Sequence, residues 1–138
     1  MERRALVHAA LAGLAYFGIV FVAGFALGTM RVLLLIPRLG EIFSVLLELP
    51  IILAVSWVAC RRVVMRFDVP PELPARFVMG WLAFAVLMSA EVGLSVLGFG
   101  RTLPAHLDQY RQLPALIGLA GQMAFAMFPI LQQTNRAR

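Results

Sequence analysis

Polar and apolar positions along this chain sort into four long apolar runs separated by short polar breaks. The runs cover about residues 5–36, 40–60, 77–100 and 113–131, and only His8, Arg31 and a few small polar residues interrupt the first. A helix rises 1.5 Å per residue, so about 20 residues cross the roughly 30 Å of hydrocarbon in a bilayer. Each run is long enough. Lipid offers no partner for an exposed backbone N–H or C=O, so runs of this kind are expected to be helices. The pattern predicts an all-α polytopic membrane protein: one domain over residues 1–138, built as a bundle of four transmembrane helices. The short breaks favour up-down-up-down connectivity. Met1-Glu2-Arg3-Arg4 resembles the start of a secretory signal peptide. The apolar run behind it outlasts the roughly 7–15 residues of such a peptide, so an uncleaved signal anchor is expected.

Composition sharpens the class. The chain has 138 residues, 62% of them hydrophobic and 14% charged, with a mean hydropathy of +0.89. Soluble domains average about 45–50% apolar and about 25% charged residues, which excludes a soluble globular reading. One cysteine, Cys60, cannot form an internal disulfide. The net charge of +5 comes from twelve basic residues, all arginine. They fall mainly in the breaks, where interfacial anchors belong, and this placement argues against a nucleic-acid partner. Eight of them (Arg3, Arg4, Arg61, Arg62, Arg66, Arg76, Arg136 and Arg138) fall on one side of the predicted bundle and four (Arg31, Arg38, Arg101 and Arg111) on the other. The positive-inside rule then puts both termini in the cytoplasm. Trp57 and Trp81 flank the cytoplasmic hairpin, as an aromatic belt would.

Candidate chemistry lies within the runs. A carboxylate at the centre of a spanning helix costs about 2.5–3.5 kcal/mol to insert, and such residues usually face the protein interior. Glu48 lies ten residues after Arg38 and Glu91 ten before Arg101, each about 15 Å deep. Gln122 lies eleven residues after Arg111, about 16 Å deep. Three helices are thus expected to bring a polar side chain towards one plane near mid-membrane. Helical phase puts these residues on faces shared with small ones: Ser44 with Glu48, Gly80 and Ser95 with Glu91, Gly118 and Ala126 with Gln122. In the first run Gly24 and Gly28 form a GxxxG expected to pack helices closely. Arg31 is the expected counter-charge, able to snorkel outward, to pair with Glu41, which is geometrically easiest, or to reach down towards Glu48 and Glu91. Arg31 and Glu41 would then gate an ion, solute or proton site formed by Glu48, Glu91 and Gln122. The competing expectation is a structural network that sets bundle register, with Glu91 hydrogen-bonded to Gln122. Pro50 and Pro129 each free a backbone carbonyl inside a helix.

Other features carry less. His8 and His106 fall at opposite membrane surfaces, so they cannot share a metal, and no metal or cofactor is expected. His106, Asp108 and Tyr110 read as a solvated loop, and Cys60 as an inert interfacial thiol. Met79, Met88, Met123 and Met127 lack a close copper-binding spacing and read as packing. No nucleophile elbow, P-loop or HExxH stands anywhere, so no enzymatic activity is expected.

The segments Gly28-Thr29-Met30-Arg31-Val32, Pro37-Arg38-Leu39-Gly40-Glu41 and Glu48-Leu49-Pro50 resemble an uncharacterised family of small bacterial four-span membrane proteins. The likeness covers about a quarter of the chain. It implies a bacterial inner-membrane location and brings no activity. The segment from Gly24 to Arg31 is similar to the opening of small fluoride channels. Those channels depend on membrane asparagines, and the single asparagine here is Asn135 in the tail. Small multidrug transporters carry their key glutamate in the first helix, which has none here. The expected function is transport or conduction of a small ion or solute, coupled to protonation of Glu48 and Glu91. The alternative is a non-transporting accessory or assembly subunit in which the polar cluster is interhelical glue. The small size favours a homo-oligomer or a larger membrane complex as the working form.

Overall fold

The computed structural model describes residues 3–136, and side chains over 3–132. Met1, Glu2 and Arg138, and the side chains of Asn135 and Arg136, lie outside the described residues. Every long element described is helical, with no strand among the described residues. Four helices are long and apolar enough to span a bilayer: Arg3–Leu39, Glu41–Arg66, Leu73–Gly98 and Leu113–Gln132, the last continuing to Arg136. The helices outrun the apolar stretches because polar turns such as Arg61-Arg62 continue the backbone bonding beyond the apolar residues. At 26 residues, the second and third helices are each about 39 Å long, more than the hydrocarbon requires.

The first helix passes through Pro37 rather than stopping at Ile36 as expected. Its turn Arg31–Leu35 is widened to π-helix, with the Ile36 N–H donating to the Arg31 carbonyl. Proline removes a donor and its ring collides with the carbonyl four residues back. A widened turn just ahead of Pro37 relieves that collision. Gly40 then reverses the chain in one residue at φ 82°, a left-handed conformation that glycine adopts without steric cost. The third helix widens in the same way over Leu94–Gly98, where it ends, and the chain turns at Gly100, φ 69°. Beyond it, Leu103–Asp108 forms a short loop helix, capped by Thr102 Oγ1 accepting from the Ala105 N–H at 3.2 Å.

Neighbours around the bundle are not sequential. The first helix packs on the second and third, and the fourth on the same two, so second and third face each other across a diagonal. Gly24 lies beside Ile52, and Arg31 bonds Glu48, which sets the first two helices antiparallel. Leu49 meets Gly121 and the Trp57 carbonyl meets Gln132, so the second and fourth run parallel. The hairpin that joins the second helix to the third must therefore cross the end of the bundle. It is pinned there by buried Val69, whose N–H bonds the Val64 carbonyl, and by Arg76, whose Nε donates to the Pro70 carbonyl.

The two ends of the bundle differ. The half nearer Pro70 holds the dry core, including Ala9, Ala12, Val63, Ala75, Met79 and Ala83. Here the backbones approach most closely. A Cβ on Gly13 would stand 2.8 Å from the Met79 carbonyl oxygen, and one on Gly80 would overlap the Ala126 carbonyl. The close-packing role expected for Gly24 and Gly28 belongs to these residues instead. A Cβ on Gly24 would meet only Ile52 Cδ1 at 3.8 Å, and one on Gly28 only the Arg31 guanidinium, also at 3.8 Å.

Pro129 also shapes this half. It cannot donate to the Phe125 carbonyl four residues back, and the Tyr16 hydroxyl donates to that carbonyl at 2.7 Å. The Tyr16 ring stacks on Phe125 at 4.2 Å, linking the first and fourth helices across the other diagonal. Arg76 is fully buried, and its Nη1 donates to the Pro129 carbonyl at 3.3 Å. The sequence placed Arg76 among the surface anchors, and burial removes it from them. Cys60 is likewise core rather than interfacial. Trp57 packs edge-on against Phe128, and both tryptophans are half-buried. Trp81 lies eight residues into its helix and Trp57 nine from the end of its own, about 12–14 Å inside. Measured from the ends of the apolar runs at residues 60 and 77, they lie only about 5–6 Å inside.

Candidate functional site

The other half of the bundle holds the polar residues. Each long helix contributes one: Arg31 from the first, Glu48 from the second, Glu91 from the third and Gln122 from the fourth. Arg31 Nη1 donates to Glu48 Oε2 at 2.6 Å, and the pair is sheltered, with side chains 30% and 12% exposed. Gln122 Nε2 donates to Glu91 Oε1 at 2.5 Å. Leu49 and Gly121, the chain neighbours of Glu48 and Gln122, are in contact, which sets the two pairs beside one another, and the Arg31 guanidinium also acts electrostatically on the Glu91 carboxyl. A charge-assisted bond of this length is among the stronger polar contacts a protein makes.

Backbone geometry explains the convergence. Arg31 opens the π-helical turn of the first helix, and Glu91 lies one turn ahead of the π-helical segment of the third. Widened turns of this kind recur at functional sites because they re-aim side chains out of ordinary helical phase. On the second and third helices the carboxyl-bearing residues lie about 8 Å to the Gly40 side of the helix midpoint. Measured instead from the apolar runs 40–60 and 77–100, the same residues lie within about 4 Å of the run centres, because the helices extend beyond the apolar stretch at their Pro70 ends.

Arg31 pairs with Glu48, not with Glu41. Glu41 is exposed at the first position of the second helix, where the helix dipole favours an acidic side chain. It borders an open, mostly apolar groove of about 420 Å³ shared with Gly40, Phe43, Gln112 and Pro114. Ser44, on the face expected to carry Glu48, donates to the Gly40 carbonyl. Pro50 is exposed.

The sequence reading missed His106. The expected solvated loop folds inward here: the residue is 3% exposed, with its ring edge-on to Tyr110 at 5.9 Å between centroids. Gln109 Nε2 donates to His106 Nδ1 at 3.3 Å. His106 Nε2 is buried and makes no hydrogen bond among the described residues, and the same holds for Ser95 Oγ, one turn beyond Glu91. The loop helix packs on the widened segment that carries Ser95. Both His106 and Tyr110 interact electrostatically with Glu91. Burial first, and then the Glu91 charge, push the Tyr110 phenol above its usual ionisation range. The available signal was the Thr102-Leu103-Pro104 helix start, which turns a loop into a helix with one buried face.

His8 is exposed at the Pro70 end of the first helix, far from His106. No group of three or more His, Cys, Asp or Glu side chains suited to a metal stands among the described residues. The methionines scatter, Met79 in the core and Met123 and Met127 on the outside. No family model, curated protein or solved structure matches this chain, so the functional reading rests on the geometry of the cluster.

Proposed function

We propose that this protein moves a small ion or solute across a membrane, coupled to protonation of the cluster at Glu91 and Glu48. One observation carries the reading. Four helices meet in a polar cluster with two carboxyl groups and a single guanidinium, and that guanidinium is bonded to Glu48. Glu91 is bonded to a neutral amide instead. Its charge is the one a transported proton or cation would balance. Ionisable groups inside a membrane domain are costly to insert and typically mark ion or proton pathways. Arg31, tied to Glu48 and felt by Glu91, is the element through which a change at one carboxyl reaches the other.

Orientation belongs to the same proposal. With Arg76 buried and Arg31 in the cluster, six described arginine positions remain at the Pro70 end (Arg3, Arg4, Arg61, Arg62, Arg66 and Arg136) and three at the Gly40 end (Arg38, Arg101 and Arg111). The bias towards the Pro70 end is kept at two to one, which supports cytoplasmic termini. A bacterial inner membrane and an oligomeric working form complete the picture. Flux in proteoliposomes over a pH series tests it. Glu91→Gln is expected to abolish the pH dependence, and Glu48→Gln to alter it by releasing Arg31. Flux that is unchanged and pH-independent in both variants would refute the proposal.

A second reading has its own support: the bonds Arg31–Glu48 and Gln122–Glu91 match donors to acceptors within the cluster. A non-transporting assembly subunit would use such a network as interhelical glue. In that case the same substitutions would change detergent stability or co-purification with a partner, and the wild-type chain would carry no flux.

A further inference from the structure

The cluster has a neighbour whose chemistry is unspent. His106 is 3% exposed, and its Nε2 makes no hydrogen bond among the described residues. An amide NH2 can only donate, so the Gln109 contact makes Nδ1 the acceptor and leaves the proton of the neutral ring on Nε2. A buried N–H without a partner costs about 1–3 kcal/mol, and the usual remedy is an ordered water. Ser95 Oγ is a second buried polar atom without a partner, on the helical segment that the loop helix packs against. Glu91 stands one turn away from Ser95 and feels the His106 ring. Two buried polar atoms without partners therefore lie on two elements packed together, and a carboxyl lies one turn along the helix from one of them.

We propose that His106 is the proton-transfer group serving Glu91 from the Gly40 end, through water held by Ser95 Oγ and His106 Nε2. The inference rests on the reading of the cluster as a proton-coupled site and names its route of access. His106 Nδ1 takes a proton from hydronium on the loop side, leaving water and displacing the Gln109 amide. The imidazolium releases its Nε2 proton to the bridging water, which passes a proton to the Glu91 carboxylate. The carboxylate becomes a neutral acid, and the ring, left with Nδ1–H, resets by turning over, which returns an N–H to the bridging water and a free nitrogen to the loop side without drawing the proton back from Glu91. Imidazole suits this task because each of its nitrogens can either take up or release a proton.

The groups facing this route come from every element around it. Arg31 and Glu48 stand on the first and second helices and Gln122 on the fourth. Tyr110, Gln109 and the exposed Arg111–Asp108 pair stand in the loop. Arg31 holds Glu48 and acts on Glu91, so protonation of Glu91 leaves the guanidinium to Glu48 alone.

Two measurements test the route. In the first, the full chain carrying His8→Gln, so that His106 is the single histidine, is labelled with 15N-histidine and placed in phospholipid bilayers. Solid-state NMR should find the neutral ring protonated at Nε2 and in contact with water, and Glu91→Gln should change its signal. A ring protonated at Nδ1, or one without water contact, would overturn the proposal. In the second, proton uptake is followed in proteoliposomes holding a pH-sensitive dye and driven by a potassium diffusion potential. His106→Gln and Glu91→Gln should each slow uptake about tenfold or more. Added imidazole should restore His106→Gln but not Glu91→Gln, a rescue that a merely structural histidine would not show. Wild-type rates in His106→Gln, with Glu91→Gln inactive, would remove His106 from the route and leave the cluster's role standing. A slow His106→Gln that imidazole does not rescue would also count against the route. Absence of uptake by the wild type would overturn the transport reading and this route together.

Discussion

Tyr16 and Pro129 show how one residue creates a need that another meets. Proline strips the Phe125 carbonyl of its helical donor, and the Tyr16 hydroxyl replaces it at 2.7 Å. Tyr16→Phe should therefore cost about 1 kcal/mol, the typical net worth of such a bond. In a Pro129→Ala background, where the helix regains its own N–H, the cost should shrink towards zero. A double-mutant cycle on unfolding in mixed micelles measures the difference. Tyr110 supplies a titration at the same scale. Burial and the Glu91 charge raise its pKa, so the folded chain prefers the neutral phenol. The associated stability is intact below the ordinary phenol range and is lost as pH climbs through the higher folded value. With Tyr16→Phe leaving Tyr110 as the single tyrosine, phenolate absorbance should rise later than in the unfolded chain. Adding Glu91→Gln should bring it part of the way back.

At the scale of elements, helix contact is decided by where backbones meet rather than by where small residues are spaced. Gly24 and Gly28 have the GxxxG spacing, yet a methyl on either would meet nothing closer than 3.8 Å. Gly80 has no such partner in sequence and touches the Ala126 carbonyl directly. Gly80→Ala should push the third and fourth helices apart and cost about 1–3 kcal/mol, the usual penalty of overpacking. Gly24→Ala and Gly28→Ala should be close to neutral in the same unfolding assay. The π-helical turns belong to this scale as well. Pro37 made one of them foreseeable, since the collision it causes had to be relieved nearby. Nothing comparable announces the widening over Leu94–Gly98.

The whole molecule divides into a dry half that holds the bundle together and a polar half that carries the candidate chemistry. Arg76 belongs to the dry half in spite of its charge. Its guanidinium joins the third helix to the hairpin carbonyl of Pro70 and to the Pro129 carbonyl of the fourth helix. Arg76→Ala should cost about 3 kcal/mol, as expected for charge-assisted bonds lost from a buried site. Thermal unfolding in detergent would register the loss. Diagonal placement of the second and third helices can be tested directly. In a Cys60→Ser background, Leu49→Cys and Gly121→Cys should cross-link the second and fourth helices within one chain.

Four apolar runs were enough to establish four helices, because a chain in lipid must satisfy its backbone within each segment. The cost of burying a carboxylate likewise marks Glu48 and Glu91 as inward-facing from the sequence, and helical phase adds Gln122. Their pairing was not in the sequence. Whether Arg31 reaches Glu41 or Glu48 depends on a widened turn and on which helices are neighbours, and both are set by contacts between distant segments. His106 was hidden for the same reason: a loop's composition does not say which way its side chains turn. Hydropathy is a property of each segment alone, while partners, ring order and the burial of Arg76 emerge only when segments are packed together.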